Sequence, residues 1–422
     1  MQFVSTRGER EVSLSAALAA GLAEDGGLYV PCTLPTLRAE DFAGAESLSE
    51  VAERLLAPFF AGDPLASELR SILAEAFTFA APLRSLQSTR LYALELFHGP
   101  TSAFKDFGAR FLAASLARIR GARELTVLVA TSGDTGSAVA SAFHRRDGFR
   151  VEVLYPEGLV SPRQAHQLGA FGDNVRAFRV QGSFDDCQRM VKAAFVHPAH
   201  DASPRALTSA NSISLGRLLP QMTYYAHAAL THWRQHERAL DFIIPSGNLG
   251  NALAAVWARA IGLPIGAITL ATNANRVLAD YFDGAEYRPR ESVPTLANAM
   301  DVGAPSNFER LRWLLSDPRA QLTVCAIDDA AIRQAIQDAD REQGYEVCPH
   351  TATAYATWQR ARSEDVALVA TAHPAKFESV VEPVLGRAIT IPPALAEILA
   401  RPAHADPLAP TVEALLARLP EG

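Results

Sequence analysis

The sequence predicts an α/β protein of parallel sheets covered by helices on both faces, and three observations predict it. From about residue 90 onward, short β-type runs alternate with helical patterns, the signature of strand-turn-helix units. The runs, among them TVLVAT (126–131), VEVLYP (151–156) and VALVAT (366–371), are apolar throughout instead of alternating, as strands buried on both faces are. Two of them end in glycine-rich turns that open directly into helices.

In chain order, residues 1–88 read as a mostly helical cap. VSLSAALAAGLAEDGG and SEVAERLLAPFF carry apolar residues at a period of three to four. Residues 89–390 hold the alternation. TVLVAT precedes SAVASAFHRR, VEVLYP precedes SPRQAHQLGAF, and FRVQG precedes SFDDCQRMVKAAF. DFIIPSGNLGN (241–251) precedes ALAAVWARAIG, GAITLAT precedes an Asn-rich turn, and VALVAT precedes HPAKFESVVEPVL. No flexible linker interrupts this stretch, which predicts two interleaved subdomains. Residues 391–422, rich in Ala, Leu and Pro, read as closing helices.

Composition removes several function classes. At 422 residues and 49% hydrophobic the chain has ample core for two or three domains. A net charge of -7 argues against nucleic-acid binding, which calls for a basic surface. Cys32, Cys187, Cys325 and Cys348 are far apart, without zinc or disulfide-scaffold spacing, so no metal is expected. The start MQFVSTRGEREV lacks the apolar stretch of a secretory signal, and no run nears the roughly 18 residues of a membrane span. A cytoplasmic protein, without membrane or nucleic-acid partners, is expected.

The basic residues are unevenly divided. Of 39, only Lys105, Lys192 and Lys376 are lysines, and the other 36 are arginines. Where arginine serves as the generic cation, a retained lysine is a candidate for a position needing an amine that can lose its proton and attack a carbonyl, the alternative being a lysine that merely escaped replacement. Lys105, flanked by Phe104 and Phe107 in FHGPTSAFKDFGARF, is the best nucleophile candidate, since apolar surroundings lower an ammonium's pKa. The bland alternative is a solvated lysine whose stem covers apolar surface. Lys192, beside Asp185, Asp186 and Arg189, reads as a helix-face lysine.

The turns TSGDTGSA (131–138) and PSGNLGN (245–251) combine glycines with hydroxyl and amide side chains at a helix start, where backbone N–H groups bind anions. Neither matches G-x-G-x-x-G or the P-loop, so dinucleotide and nucleotide-triphosphate readings lose support. No G-x-S-x-G or H-E-x-x-H occurs, and His98, His350 and His373 read as turn histidines. A reactive lysine plus a separate phosphate-binding turn points to pyridoxal phosphate.

Longer motifs sharpen this. VSTRGE, LAEDGGLYVP, FHGPTSAFKDFGARF, ATSGDTGSA, ANSISLGRLLPQ, PSGNLGN, CPHTATA and TAHPAKF occur in this order, and the chain resembles the threonine synthase family of bacterial and fungal type from its start to about residue 385. The resemblance implies a fold-type-II pyridoxal-phosphate enzyme, related to the tryptophan synthase β fold. It implies conversion of O-phospho-L-homoserine and water to L-threonine and phosphate, a carbon–oxygen lyase reaction, by a monomer or homodimer. By the same resemblance Lys105 holds pyridoxal 5'-phosphate as a Schiff base and shuttles protons. Gly247, Asn248, Leu249, Gly250 and Asn251 match the loop that holds the cofactor phosphate, and Thr371 matches the hydroxyl facing the pyridine nitrogen. Ser132, Asp134 and Thr135 lie near the cofactor ring and the substrate, while Asn211, Ser212 and Arg217 face the substrate phosphate.

The chain departs from the family pattern at several positions. Leu249 stands where many relatives carry Phe, Ser214 where Asn is common, Leu215 where an aromatic is common, and Cys348 where Asp is common. Cys348 is therefore assigned no catalytic role. Two alternatives stay open at this level. One is a related pyridoxal-phosphate lyase, phospho-lyase or dehydratase acting on hydroxy or phosphorylated amino acids. The other is a non-catalytic protein that binds a phosphorylated metabolite.

Overall fold

The computed structural model describes residues 1–121, 124–196 and 206–419. β1 (Phe3–Ser5) and β2 (Tyr29–Pro31) form a small antiparallel pair. β3 (Leu83–Ser85) and β4 (Leu91–Glu95) begin a larger sheet. The chain then builds a smaller one from β5 (Leu125–Ala130), β6 (Phe149–Pro156), β7 (Val175–Val180) and β8 (Ala206–Ser209). It returns to the larger sheet with β9 (Leu240–Pro245), β10 (Ile265–Thr272), β11 (Thr323–Ala326) and β12 (Val366–Ala370), and β13 (Asp406–Leu408) closes the smaller.

The larger sheet has the order β11-β10-β9-β12-β4-β3 and is parallel except for β3. The smaller, β13-β7-β6-β5-β8, is parallel throughout. The apolar runs read from sequence all coincide with or overlap strands, and the two sheets interleave along the chain. Insertion of β12 between β9 and β4 has a direct consequence for the site. The exits of three strands, at Glu95, Pro245 and Ala370, lie side by side.

The N-terminal region is less purely helical than its periodicity suggests. Helices Leu14–Ala20, Leu48–Phe60 and Leu69–Ala76 are present, the second opened by a capping box between Ser47 and Glu50. The motifs VSTRGE and GLYVP, however, form the β1–β2 pair, and Leu83–Ser85 is an edge strand of the larger sheet. The closing segment likewise contributes β13 as well as helices Pro393–Leu399 and Val412–Leu416. Strands of three residues are too short to show a period.

The cap shares one continuous core with the larger sheet, through Leu55, Phe59, Phe60, Phe107, Phe111 and Tyr224. Phe60 meets Phe111 edge-on at 6.1 Å, and Phe77 and Phe79 meet Phe107 at 5.7 and 4.7 Å. These contacts seat the helix Lys105–Ile119, whose first residue is the reactive-lysine candidate. Among the described residues no helix is long and apolar enough to cross a membrane.

Candidate active site

A cavity of about 750 Å³ is lined by segments of both sheets and the cap. All thirteen residues expected to bind cofactor or substrate line it: Lys105, Ser132, Asp134, Thr135, Asn211, Ser212, Arg217, Gly247, Asn248, Leu249, Gly250, Asn251 and Thr371. They arrive from the carboxyl ends of strands β5, β8, β9 and β12 and from the start of the Lys105 helix, as ligand sites in parallel sheets do.

Lys105 begins its helix at 15% side-chain exposure, with Nζ 4.8 Å from the Phe104 ring centre and 3.9 Å from Asp134 Oδ2. Burial, reinforced by the positive charges of Lys376 and Arg217, brings its amine from the ordinary 10.5 down to about 8, against the pull of Asp134. Asp134 opens the helix Asp134–Phe143 behind Gly133, whose φ of +129° suits only glycine; a Cβ there would meet Gln164 Nε2 at 2.5 Å. The Asp134 carboxylate accepts from Lys376 Nζ at 2.7 Å and Gln164 Nε2 at 3.0 Å. Burial alone would push its pKa up, but the ammoniums of Lys376 and Lys105 hold it well below the usual carboxylate range.

The turn 245–251 leads from β9 into the helix Gly250–Ala260. Leu249, buried and at φ +63°, ends the turn in the left-handed region. The backbone N–H groups of residues 247–251 donate to no other described residue and are free for an anion at a helix start. Asn248 uses its side chain to hold the loop, with Nδ2 donating to Ser212 Oγ at 2.6 Å and Oδ1 accepting from Ser306 N–H. Asn251 Oδ1 accepts from the buried phenols of Tyr224 and Tyr225, which leaves its buried Nδ2 as an unpartnered donor. These donors fit a phosphate, the amine near 8 fits a carbonyl, and together they fit pyridoxal phosphate.

Gly247 lies against the Met300 backbone, where a Cβ would come within 2.8 Å of Met300 Cα. Gly247→Ala must therefore displace the loop at a cost of about 1–3 kcal/mol. The expected result is pyridoxal-phosphate affinity about tenfold or more weaker, read by titrating the apoprotein in absorbance.

Several site residues were not legible in the sequence. His350, read as a turn histidine, is buried in the first turn of the helix Pro349–Ala361 and lines the cavity. Burial lowers its pKa to about 4, and Nε2 accepts from Ala299 N–H at 3.1 Å, so it is a neutral acceptor at neutral pH. Arg310, outside the cavity lining, is fully buried and ties together three segments next to it. Its guanidinium donates to the Tyr29 carbonyl (3.0 Å), the Ile213 carbonyl (2.7 Å) and Asn307 Oδ1 (2.9 Å). Arg7 and Glu309 pair at 2.7 Å on the cavity wall next to the cap. Lys192, read as a solvated helix-face lysine, is exposed but also lines the cavity. Cys348 caps the His350 helix, with Sγ accepting from Thr351 N–H at 3.4 Å, the position an Asp would also cap. Ser214 Oγ is buried without a partner; nothing in the structure explains that substitution.

Comparison with known proteins agrees with this geometry. Residues 76–371 match the family model described as Pyridoxal-phosphate dependent enzyme, which sets the class: the protein is a pyridoxal-phosphate-dependent enzyme. Residues 2–77 match Threonine synthase N terminus, and 351–417 match Threonine synthase, C-terminal. Threonine synthase of Haemophilus influenzae is 38% identical over 395 residues, covering 92% of each chain. The crystal structure of threonine synthase from Escherichia coli superimposes with a TM-score of 0.92 at 34% identity, covering 98% of each chain. Pyridoxal-phosphate-bound threonine synthase from Brucella melitensis gives 0.90 at 32% identity over the same share. The chain belongs to the threonine synthase family.

Proposed function

We propose that the chain converts O-phospho-L-homoserine and water to L-threonine and phosphate. One observation carries the reading. A largely buried lysine with an amine near 8 shares one cavity with an anion-binding turn of free N–H groups, in a chain that matches threonine synthases along nearly its whole length. Bound pyridoxal phosphate supplies an electron sink for the pair left when a proton leaves the substrate carbon next to it.

The protein's own groups do the rest. Lys105 Nζ holds the cofactor and, as a free amine, takes the proton from substrate Cα. Asp134, kept ionised by Lys376, stabilises the ammonium that Lys105 then becomes. The backbone N–H groups of residues 247–251 and Asn251 Nδ2 would hold the cofactor phosphate. The Thr371 hydroxyl, which lines the cavity, would serve the pyridine nitrogen of the bound cofactor, and as a neutral group it would not hold that nitrogen protonated. Ser132 and Thr135, at the start of the Asp134 helix, bind the substrate carboxylate. Asn211, Ser212 and Arg217 face its phosphate. Arg217 is buried and anchored by a hydrogen bond to the Ala210 carbonyl, and its Nε has no partner.

The test is product identity. The holoenzyme given O-phospho-L-homoserine is expected to release threonine and phosphate in equal amounts. Release of 2-oxobutanoate in place of threonine would move it to a phospho-lyase.

A further inference from the structure

Two of the chain's three lysines, Lys105 and Lys192, line the cavity, and the third, Lys376, is fully buried behind Asp134. Lys105 and Lys376 share Asp134. Lys192 belongs to the helix Phe184–Val196, which packs on β5, the strand that delivers Ser132 to Thr135. Cys187, Met190 and Ala194 of this helix turn into the core of the smaller sheet. Phe184, Gln188, Val191, Lys192 and Phe195, spaced by three and four, line the cavity. Gln188 and Lys192 are the polar groups of an otherwise apolar wall.

Four cations line the cavity; two are paired with carboxylates, Arg217 is held only by a backbone carbonyl, and Lys192 has no partner among the described residues. Arg7 grips Glu309 through two nitrogens at 2.9 and 2.7 Å, Lys105 faces Asp134, and Arg217 donates to Ala210. Lys192 makes neither an ion pair nor a hydrogen bond with any described residue. The substrate of the proposed reaction brings two anions besides the cofactor phosphate. Its carboxylate has the Asp134 helix start, whereas Asn211 and Ser212, expected at its phosphate, are neutral, the Ser212 oxygen accepting from Asn248 Nδ2. That leaves Arg217 as the single cation for a dianion. We propose that Lys192 Nζ pairs with the substrate phosphate opposite Arg217 and thereby sets the preference for a phosphorylated amino acid. This rests on the reading above and deepens it.

The test compares wild-type, Lys192→Gln and Lys192→Arg holoenzymes. Loss of a charge-assisted contact is expected to raise KM for O-phospho-L-homoserine about 10- to 100-fold in Lys192→Gln. The inhibition constant of inorganic phosphate should rise in parallel, and kcat should change little. Binding of L-threonine, which has no phosphate, should keep its wild-type affinity, and Lys192→Arg should recover most of the loss. Unchanged KM and unchanged phosphate inhibition in Lys192→Gln would overturn the proposal, as would an equal loss of threonine affinity. Failure of the wild type to make threonine is a separate result that removes the reading of the reaction. Phosphate inhibition still decides the subsite in that case.

Discussion

Lys105→Ala is expected to lower turnover by roughly 10⁴-fold or more, because it removes the cofactor's attachment point and the group that moves the Cα proton. The protein should stay folded. Lys105 begins its helix with Nζ at a cavity wall, and the packing of that helix rests on Phe107, Phe111 and Leu112. Pyridoxal phosphate should still be held through residues 247–251, so the variant can be isolated with cofactor that dialysis removes and borohydride does not fix. In the wild type, borohydride reduction should label the peptide carrying Lys105 and leave those carrying Lys192 and Lys376 unlabelled. The proton-transfer role has its own signature. With the Lys105 amine near 8, roughly one tenth is neutral at pH 7, and the neutral fraction grows as pH rises through 8. Where that proton transfer limits the rate, kcat should climb from pH 7 to 9. A flat profile together with labelling at another lysine would defeat the assignment.

How much of this was legible follows from what local sequence encodes. The buried parallel strands could be read because an apolar run of five to eight residues needs no partner to be recognised. Lys105, Asp134 and the 247–251 loop could be located because each lies within a contiguous motif at a strand exit or helix start. His350, Arg310 and the lining role of Lys192 could not, because their importance comes from tertiary neighbours. Arg310 reaches back 281 residues to the Tyr29 carbonyl, and His350 meets Ala299 across 51. The β1–β2 pair was missed for a related reason. Three-residue strands carry no period, yet this pair bears the VSTRGE and GLYVP motifs and brings Arg7 to the cavity wall.

Lys376 shows the same limit and makes the second strong prediction. TAHPAKF gave its position without its partner. In the fold Lys376 leaves β12 of the larger sheet, and its fully buried ammonium donates to Asp134 Oδ1 at 2.7 Å and the Thr101 carbonyl at 2.8 Å. Its carbonyl accepts from Ser161 Oγ at 2.6 Å, beside the helix Pro162–Gly169 of the smaller sheet. One residue thus joins segments of the two sheets and fixes the charge of Asp134. Lys376→Met removes one partner of a buried pair, and the expected cost is about 3–5 kcal/mol in unfolding free energy. Chemistry should shift as well, with a defined sign. Lys376 lowers the Lys105 pKa and Asp134 raises it, the latter more strongly. Losing Lys376 therefore moves the rise of the kcat–pH profile to higher pH. Adding Asp134→Asn removes the larger opposing charge, so the double variant should titrate at lower pH than the wild type while regaining part of the lost stability. A purely structural lysine would give the stability loss in Lys376→Met without the alkaline shift, and without its reversal in the double variant. The pH profiles of the three proteins, measured beside their denaturation curves, separate the two roles.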